Sequence, residues 1–323
     1  MSLSLKVREH AFLRGEATWT QGLNAIIGPS GSGKTTLLRL MAGLGDTSVD
    51  IQFDDMIWQG KNHRHIPPYL RPIAFIPQYP SLLPFRSVRQ QIDWVLTPDF
   101  NPPWKEWADK LEIGSLLDRY PRMLSGGEQQ RAAIVRALAA HQPVLLLDEA
   151  LSQVEERLRQ HYLQCLKNNP PSPWIFYSTH HLNEALEFSD TVTIIFEGQI
   201  YTPQPPQDLI MAPPNAPIAW MLGYRGSLPL DNGGYVLIHP ARVVPGAHAE
   251  QGLVYPALVG IGPKPHSLLS QWTVRRHNTT WQWELPYYSK QWRGNAITII
   301  DPVVVPYVLN NEEVQSYVPH VSW

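Results

Sequence analysis

At 323 residues the chain is long enough for two domains and a sizeable core, and 26 Lys plus Arg against 28 Asp plus Glu leave a net charge of −2. That balance gives no overall electrostatic pull toward nucleic acid or anionic lipid. The single Cys165 excludes an internal disulfide and a cysteine-based metal site and points to a reducing compartment, the cytosol; no apolar run of about 18 residues and no apolar signal core occur, so neither a spanning helix nor signal-directed export is expected.

In chain order, residues 3 to 21 form a short β-rich lead-in, with Leu3-Ser4-Leu5-Lys6-Val7 alternating at period two. Leu23-Asn24-Ala25-Ile26-Ile27 is a buried strand that runs into Gly28-Pro29-Ser30-Gly31-Ser32-Gly33-Lys34-Thr35-Thr36, a full match to G-x-x-x-x-G-K-[ST]. Leu37 to Ala42 then reads as a helix stopped by Gly43. Glycines let successive backbone N–H groups curl around phosphate oxygens, and the helix N-terminus adds a positive end. The expected ligands are ATP and Mg²⁺, with Lys34 reaching the β- and γ-phosphates and the Thr35 hydroxyl ligating the metal. An aromatic that stacks on adenine is expected in the lead-in, and Phe12 and Trp19 are the candidates, each also suited to a core position.

Val49 to Phe53 and Ile73 to Ile76 are strands, with the Pro/His-rich segment 61 to 72 as a loop between them and Gln78 directly after the second. A compact helical insert over about 86 to 124 is predicted from Ile92, Val95, Leu96, Trp104, Trp107, Ala108 and Leu111, interrupted by Pro98, Pro102 and Pro103. It leads into Leu124-Ser125-Gly126-Gly127-Glu128-Gln129-Gln130-Arg131, where Ser125 and Glu128 have capping-box spacing for a helix to about Ala140. Two glycines after a cap weaken a helix by roughly 1 kcal/mol each relative to alanine, so close backbone approach to a phosphate is the expected reason for them.

Val144-Leu145-Leu146-Leu147 is a continuous apolar strand ending in Asp148-Glu149. Carboxylates at such a strand end sit beside a phosphate loop, where Asp148 can hold Mg²⁺ and Glu149 can polarise the attacking water. A helix from about Gln153 to Asn168 follows, then a strand from Trp174 to Ser178 ending at Thr179-His180, and His180 can donate to a γ-phosphate oxygen. Thr191 to Phe196 is one more buried strand. After about Gly223 the composition changes: residues 201 to 323 hold 16 of the 31 prolines, and Thr280 to Leu285 and Ala296 to Ile300 alternate at period two, as in a small β-barrel or sandwich. The domains are therefore expected at 1–222 and 223–323.

With these motifs in this order, residues 1 to about 222 resemble the ATPase subunit of an ATP-binding cassette (ABC) transporter. The resemblance implies an α/β P-loop ATPase with a helical insert, in which Gln78 senses Mg²⁺, the attacking water and the permease contact at Tyr79-Pro80-Ser81-Leu82-Leu83-Pro84-Phe85. It implies further that Ser125-Gly126-Gly127-Glu128 of one subunit closes over the nucleotide held by another, giving a homodimer with two sandwiched ATP molecules. Three positions depart from the family pattern: Ala150 where Pro usually follows the catalytic Glu, Glu155 where the next loop usually has Asp, and His181 where Asp often follows the switch His.

The last third resembles, more weakly, the small all-β OB-like regulatory domain of import ATPases for molybdate, sulfate, ferric iron, polyamines and sugars, with His239-Pro240-Ala241-Arg242 at a characteristic segment. The short lead-in and compact insert resemble the molybdate branch most. By resemblance the chain energises a bacterial-type importer from the cytoplasmic face of the inner membrane, with permease subunits and, indirectly, a solute-binding protein as partners and no nucleic acid. A soluble cassette ATPase acting on nucleic acid or ribosomes is the rival from another class; it would favour basic patches or paired cassettes, which this chain lacks. An exporter ATPase is disfavoured by the β-rich tail, and a degenerate cassette by the presence of Lys34, Glu149 and His180.

Overall fold

The computed structural model describes residues 2–223 apart from 46–47, 62–64, 80 and 97–103, together with eight strands between residues 227 and 305. Its contacts divide it into one unit ending at Gln207 and another beginning at Asp208.

In the first unit, β1 (Leu3–Val7), β2 (Glu16–Trp19), β4 (Val49–Phe53) and β5 (Met56–Gln59) form an antiparallel sheet in the order β2-β1-β4-β5, while β3 (Gly22–Ile27) enters a second sheet. Period-two alternation decides the facing: Leu3, Leu5, Val49 and Ile51 are buried while Ser4, Lys6, Asp50 and Gln52 turn outward. The second sheet holds β3, β6 (Ile73–Ile76), β7 (Val144–Asp148), β8 (Trp174–Thr179), β9 (Thr191–Phe196) and β10 (Gln199–Ile200) in the order β10-β9-β3-β8-β7-β6, parallel except at β10. Every residue of β7 and β8 is buried, which is why both open as continuous apolar runs, Val144 to Leu147 and Trp174 to Tyr177, rather than as alternations.

Helix α1 (Lys34–Met41) contributes Leu37, Leu38, Leu40 and Met41 to one core shared with both sheets. Aromatic rings fill its centre: Trp19 meets Phe176 edge-on at 5.3 Å, and Phe53 lies 4.9 Å from Trp58 and 4.8 Å from Trp174. In the helical insert, α2 (Val88–Asp93) and α3 (Trp104–Lys110) pack on α4 (Gly126–Ala139). The remaining helices of this unit are α5 (Glu156–Asn168) and α6 (Leu182–Phe188). The expected start of the 153–168 helix is thus corrected to Glu156: Glu149 to Val154 instead make two tight turns, closed by Ser152 N–H to Glu149 O and Val154 N–H to Leu151 O.

The second unit is antiparallel where it is described. Beyond α7 (Pro206–Met211) and α8 (Ala216–Met221), the strands are β11 (Ser227–Pro229), β12 (Tyr235–Leu237), β13 (Val243–Pro245), β14 (Gly252–Leu258), β15 (Leu269–Arg276), β16 (Thr279–Pro286), β17 (Ala296–Ile300) and β18 (Val303–Val305). They pair as β11-β12-β18 and β13-β17-β14-β15-β16. The alternating segments 280–285 and 296–300 lie within β16 and β17, whereas His239 to Arg242 lies outside the described residues.

The 61–72 loop ends on an unexpected structural residue. Arg71 is buried and donates to the Leu40 and Met41 carbonyls (3.2 and 2.7 Å) at the C-terminal end of α1, to Ile66 O (3.0 Å) and to Gln59 Oε1 (3.0 Å). Burial brings its pKa down to about 10, still high enough to keep the cation that the negative end of a helix favours. Replacing Arg71 by Leu removes the donor to Met41 O and Ile66 O, leaves Leu40 O only its bond from Gly43 N–H, and should destabilise the chain by about 2–3 kcal/mol. Urea denaturation checks this: an unshifted midpoint would show that the carbonyls find other donors.

Candidate functional site

The parallel register alone collects the site. Ile27 of β3 is paired with Thr179 of β8, Ser178 of β8 with Asp148 of β7, and Leu147 of β7 with Ile76 of β6. The carboxyl ends of four strands therefore share one edge of the sheet, and the loops that leave it carry Gly28 to Lys34, Gln78, Asp148-Glu149 and His180. Ligands of open α/β sheets bind at such an edge.

Gly33 turns the chain into α1 with φ 110°, and a Cβ there would lie 2.5 Å from Leu13 Cδ2, so both the left-handed backbone and the close approach require glycine. Lys34 follows as the first helical residue; its buried ammonium donates to the carbonyls of Gly28 (2.9 Å) and Pro29 (3.1 Å) and stands 3.9 Å from Glu149 Oε1. Desolvation lowers its pKa, with the charges of Glu149 and Asp148 opposing the shift. Thr35 Oγ1 donates to Asp148 Oδ1 at 3.0 Å, and Ser178 Oγ donates to the same oxygen at 2.8 Å. Burial raises the Asp148 pKa, against the pull of these two hydroxyls.

Glu149 adopts the left-handed region with φ 45°, which costs a non-glycine residue about 1–2 kcal/mol. It is held there by its N–H, which donates to Ser178 Oγ (2.8 Å), and by its carboxylate, which accepts from Gln78 Nε2 (3.0 Å). The bend lifts the carboxylate over the end of the strand into a cleft of about 380 Å³ whose wall includes Ser30, Gly31, Lys34, Thr35, Thr36 and Gln78.

Phe12 also lines this cleft, 43% exposed, whereas Trp19 is buried in the core with its indole N–H on Thr193 Oγ1 (2.8 Å). Of the two aromatic candidates, only Phe12 is placed to meet a ligand. The donor set also fits a hard cation: a hydroxyl and a carboxylate share a contact, the carboxylate is held where desolvation penalises its charge, and an amide stands nearby. Thr35, Asp148 and Gln78 suit Mg²⁺, which takes few protein oxygens and completes its shell with water and phosphate.

Asp148 meets the cleft wall through Thr35, and Gly28 and Pro29 meet it through Lys34, whereas two further predicted groups, Ser125 to Glu128 and His180, lie off the wall. Ser125 caps α4 in a reciprocal capping box, accepting from Glu128 N–H while Glu128 Oε2 accepts from Ser125 N–H (2.7 Å), and these bonds hold the Glu128 pKa low. The glycines behind it have a reason within the chain: a Cβ on Gly126 would come within 2.6 Å of Gln153 Oε1, and one on Gly127 within 3.0 Å of Gln153 O. Packing against Gln153 thus stands beside the expected approach to a phosphate as a reason for them. His180 borders a small separate cavity beside Glu149, its ring 4.0 Å from that of His181, whose pKa burial lowers. Ala150 is buried, and Glu155 is the exposed N-cap of α5 without a capping bond.

Sequence reasoning missed three supports. Ser178 bridges Asp148 and Glu149, and the signal was a hydroxyl inside an otherwise apolar buried strand. Arg159 and Glu184 form a buried pair (2.8 and 3.0 Å), from which Arg159 also donates to Val154 O at the end of the turn. Gln130, fully buried on α4, had no sequence signal beyond a polar residue on a helix.

The ABC transporter family profile matches residues 19–152. The chain is 38% identical over 189 residues to a molybdenum import ATP-binding protein of Saccharophagus degradans, covering 56% of this chain and 52% of that protein. It is 31% identical over 260 residues to a spermidine/putrescine import ATP-binding protein of Pseudomonas aeruginosa, covering 75% of this chain and 69% of that protein. The match thus spans about half the length of the molybdenum relative and about two thirds of the polyamine one. A solved bacterial Atm1-family ABC exporter with ATP bound is also similar, with a TM-score of 0.56 at 26% identity over 68% of this chain and 41% of that one.

Replacing Ser178 by Ala removes the acceptor for Glu149 N–H and one donor to Asp148. It should cost about 1–2 kcal/mol of stability, and any turnover dependent on Glu149 should fall by about tenfold. Thermal melting and steady-state nucleotide hydrolysis together check this; wild-type values for both would mean that Ser178 only fills space.

Proposed function

Because the chain belongs to the ABC transporter ATP-binding family, we propose that it is the ATP-hydrolysing subunit of an importer for a small solute, working as a homodimer on permease subunits at the cytoplasmic face of the membrane. The observation that carries this reading is the convergence of Lys34, Thr35, Gln78, Asp148 and Glu149 through direct contacts at the edge of one cleft. No described helix is long and apolar enough to cross a membrane, so passage of the solute falls to partner subunits. The names of the molybdenum and polyamine relatives favour an oxyanion such as molybdate, or a polyamine, as the solute, delivered by a solute-binding protein. The antiparallel second unit is taken as the OB-like regulatory domain.

In this reading the adenine stacks on Phe12 and the phosphates lie along Gly28 to Thr36, with the Lys34 ammonium swinging from the Gly28 and Pro29 carbonyls to the β- and γ-phosphates. Thr35, Asp148 and Gln78 would hold Mg²⁺, which would supply positive charge against the phosphates. Glu149 orients and deprotonates the attacking water, Gln78 holds that carboxylate in place, and His180 donates to a γ-phosphate oxygen. Ser125, Gly126, Gly127 and Glu128 stand off the chain's own cleft because they close on the nucleotide of the second copy. Closure and reopening around ATP is then a population shift biased by the γ-phosphate.

Changing Glu149 to Gln keeps shape but removes the carboxylate, so ATP should still bind while hydrolysis drops by roughly 10² or more. Size-exclusion chromatography should show a dimer of this variant in ATP but not in ADP, abolished by adding Ser125→Arg. Wild-type turnover by Glu149→Gln would overturn the catalytic assignment.

The permease should seat on the exposed apolar side chains after Gln78, since Tyr79 and Phe85 are 75% and 65% exposed and Trp94, the C-cap of α2, with the Arg86 guanidinium over its ring at 5.0 Å, is 59% exposed. Phe85→Asp in the assembled transporter should abolish most uptake while leaving basal ATPase near wild type. Unchanged uptake would place the docking surface elsewhere.

A further inference from the structure

One buried amide on α4 joins two loops of the cleft to each other. Gln130 has no solvent exposure; its Nε2 donates to the Gln78 carbonyl at 3.1 Å, and its Oε1 accepts from Gln153 N–H at 3.2 Å. The two partners fix the orientation of the amide, because one backbone group only accepts and the other only donates. A position that must donate on one side and accept on the other, across that span, is chemically an amide position: Asn is a methylene short, Glu cannot donate when ionised, and Met can do neither.

Both ends of this bridge lead to Glu149. Gln78 bonds the Glu149 carboxylate through its own side chain (3.0 Å), while Gln153 lies in the second of the tight turns that begin at Glu149, with Ser152 N–H on Glu149 O at 3.0 Å. From the far side, Arg159 grips the same turn through Val154 O at 3.0 Å. The glycines at the start of α4 let Gln153 sit against the helix, and farther along α4 Arg136 donates to Ser81 O at 2.9 Å and to Ser81 Oγ at 3.2 Å. Among the described residues the helix is thus tied to the segment after β6 through Gln130 and Arg136 and to the turn after β7 through Gln130, which holds both segments.

We propose that Gln130 is a positioning residue for hydrolysis: it locks the segment at Gln78 and the turn at Gln153 to α4, so that any displacement of α4 or of the apolar surface after Gln78 is passed to the carboxylate of Glu149. This rests on the reading of Glu149 as the base that activates water. Gln130 is fully buried and not part of the cleft wall; it acts through Gln78 and the turn.

The test uses the full chain with Gln130→Met, which keeps length and volume without either bond, and Gln130→Glu, which keeps the acceptor for Gln153 N–H and loses the donor to Gln78. In the nucleotide-free protein, hydrogen exchange at the Gln153 amide should rise by about tenfold in Gln130→Met and stay near wild type in Gln130→Glu. With ATP and Mg²⁺, kcat per folded molecule should fall by about 10- to 100-fold in both variants while KM and ATP affinity stay within about twofold, the pattern of lost transition-state positioning rather than lost binding. A purely structural role would lower the melting temperature and the folded fraction without that split between kcat and KM. Unchanged protection of Gln153 in Gln130→Met, or a kcat per folded molecule at the wild-type level, would overturn the proposal. Failure of the underlying reading shows separately, as Glu149→Gln turning over ATP like wild type, and the exchange of the Gln153 amide still decides whether the bridge exists.

Discussion

Everything at the cleft depends on the parallel register of β6, β7, β8 and β3. A one-residue slip in any pair would turn every side chain of the shifted strand to the other face, separating Ser178 from Asp148 and Glu149 from Gln78. The register is held by packing: Leu146, Phe176 and Trp174 lie in the core they share with the antiparallel sheet and α1, where the bulky rings fit only in their own places.

Within that frame the site is a managed imbalance of charge. Lys34 is buried against two carbonyls rather than a close ion pair, Asp148 is buried against two hydroxyls, and Glu149 is the more open of the two acids. Desolvation pushes both the lysine and the aspartate toward their neutral forms. A polyanion with its cation would relieve both, because phosphate supplies the missing counter-charge for Lys34 and Mg²⁺ the missing one for Asp148. The resting contacts are of the kind that can be traded: two carbonyls and two hydroxyls give up modest hydrogen bonds when stronger charge-assisted ones become available.

The start of α4 serves two surfaces at once. Its capping box closes at the exposed Ser125, while Gly126 and Gly127 admit Gln153 from the same chain. A side chain at either glycine would have to displace Gln153 of the same chain, whatever partner the helix end meets. A substitution there is therefore expected to disturb the turn after Glu149 as well as whatever the helix end binds.

The sequence by itself determined the motifs and the strands that end in them, because a phosphate loop, a capping box and a buried parallel strand are each written locally, in glycine placement, cap spacing and unbroken apolar runs. It also displayed Asp148-Glu149 as acids at a strand end, and the period-two segments of the second unit. Only the tertiary structure decided which aromatic faces the cleft, since Phe12 and Trp19 are equally apolar and differ only in what folds over them. Only it showed that Glu149 sits in a left-handed bend held by Ser178, that α5 starts at Glu156, that Arg71 closes the end of α1, and that Gln130 spans two loops. These depend on groups tens of residues apart in the chain: 29 residues separate Ser178 from Glu149, 52 separate Gln130 from Gln78, and 31 separate Arg71 from Leu40. A hydrogen bond of that reach has no periodicity to betray it, because its geometry is set by how the sheets and helices pack and not by the residues on either side.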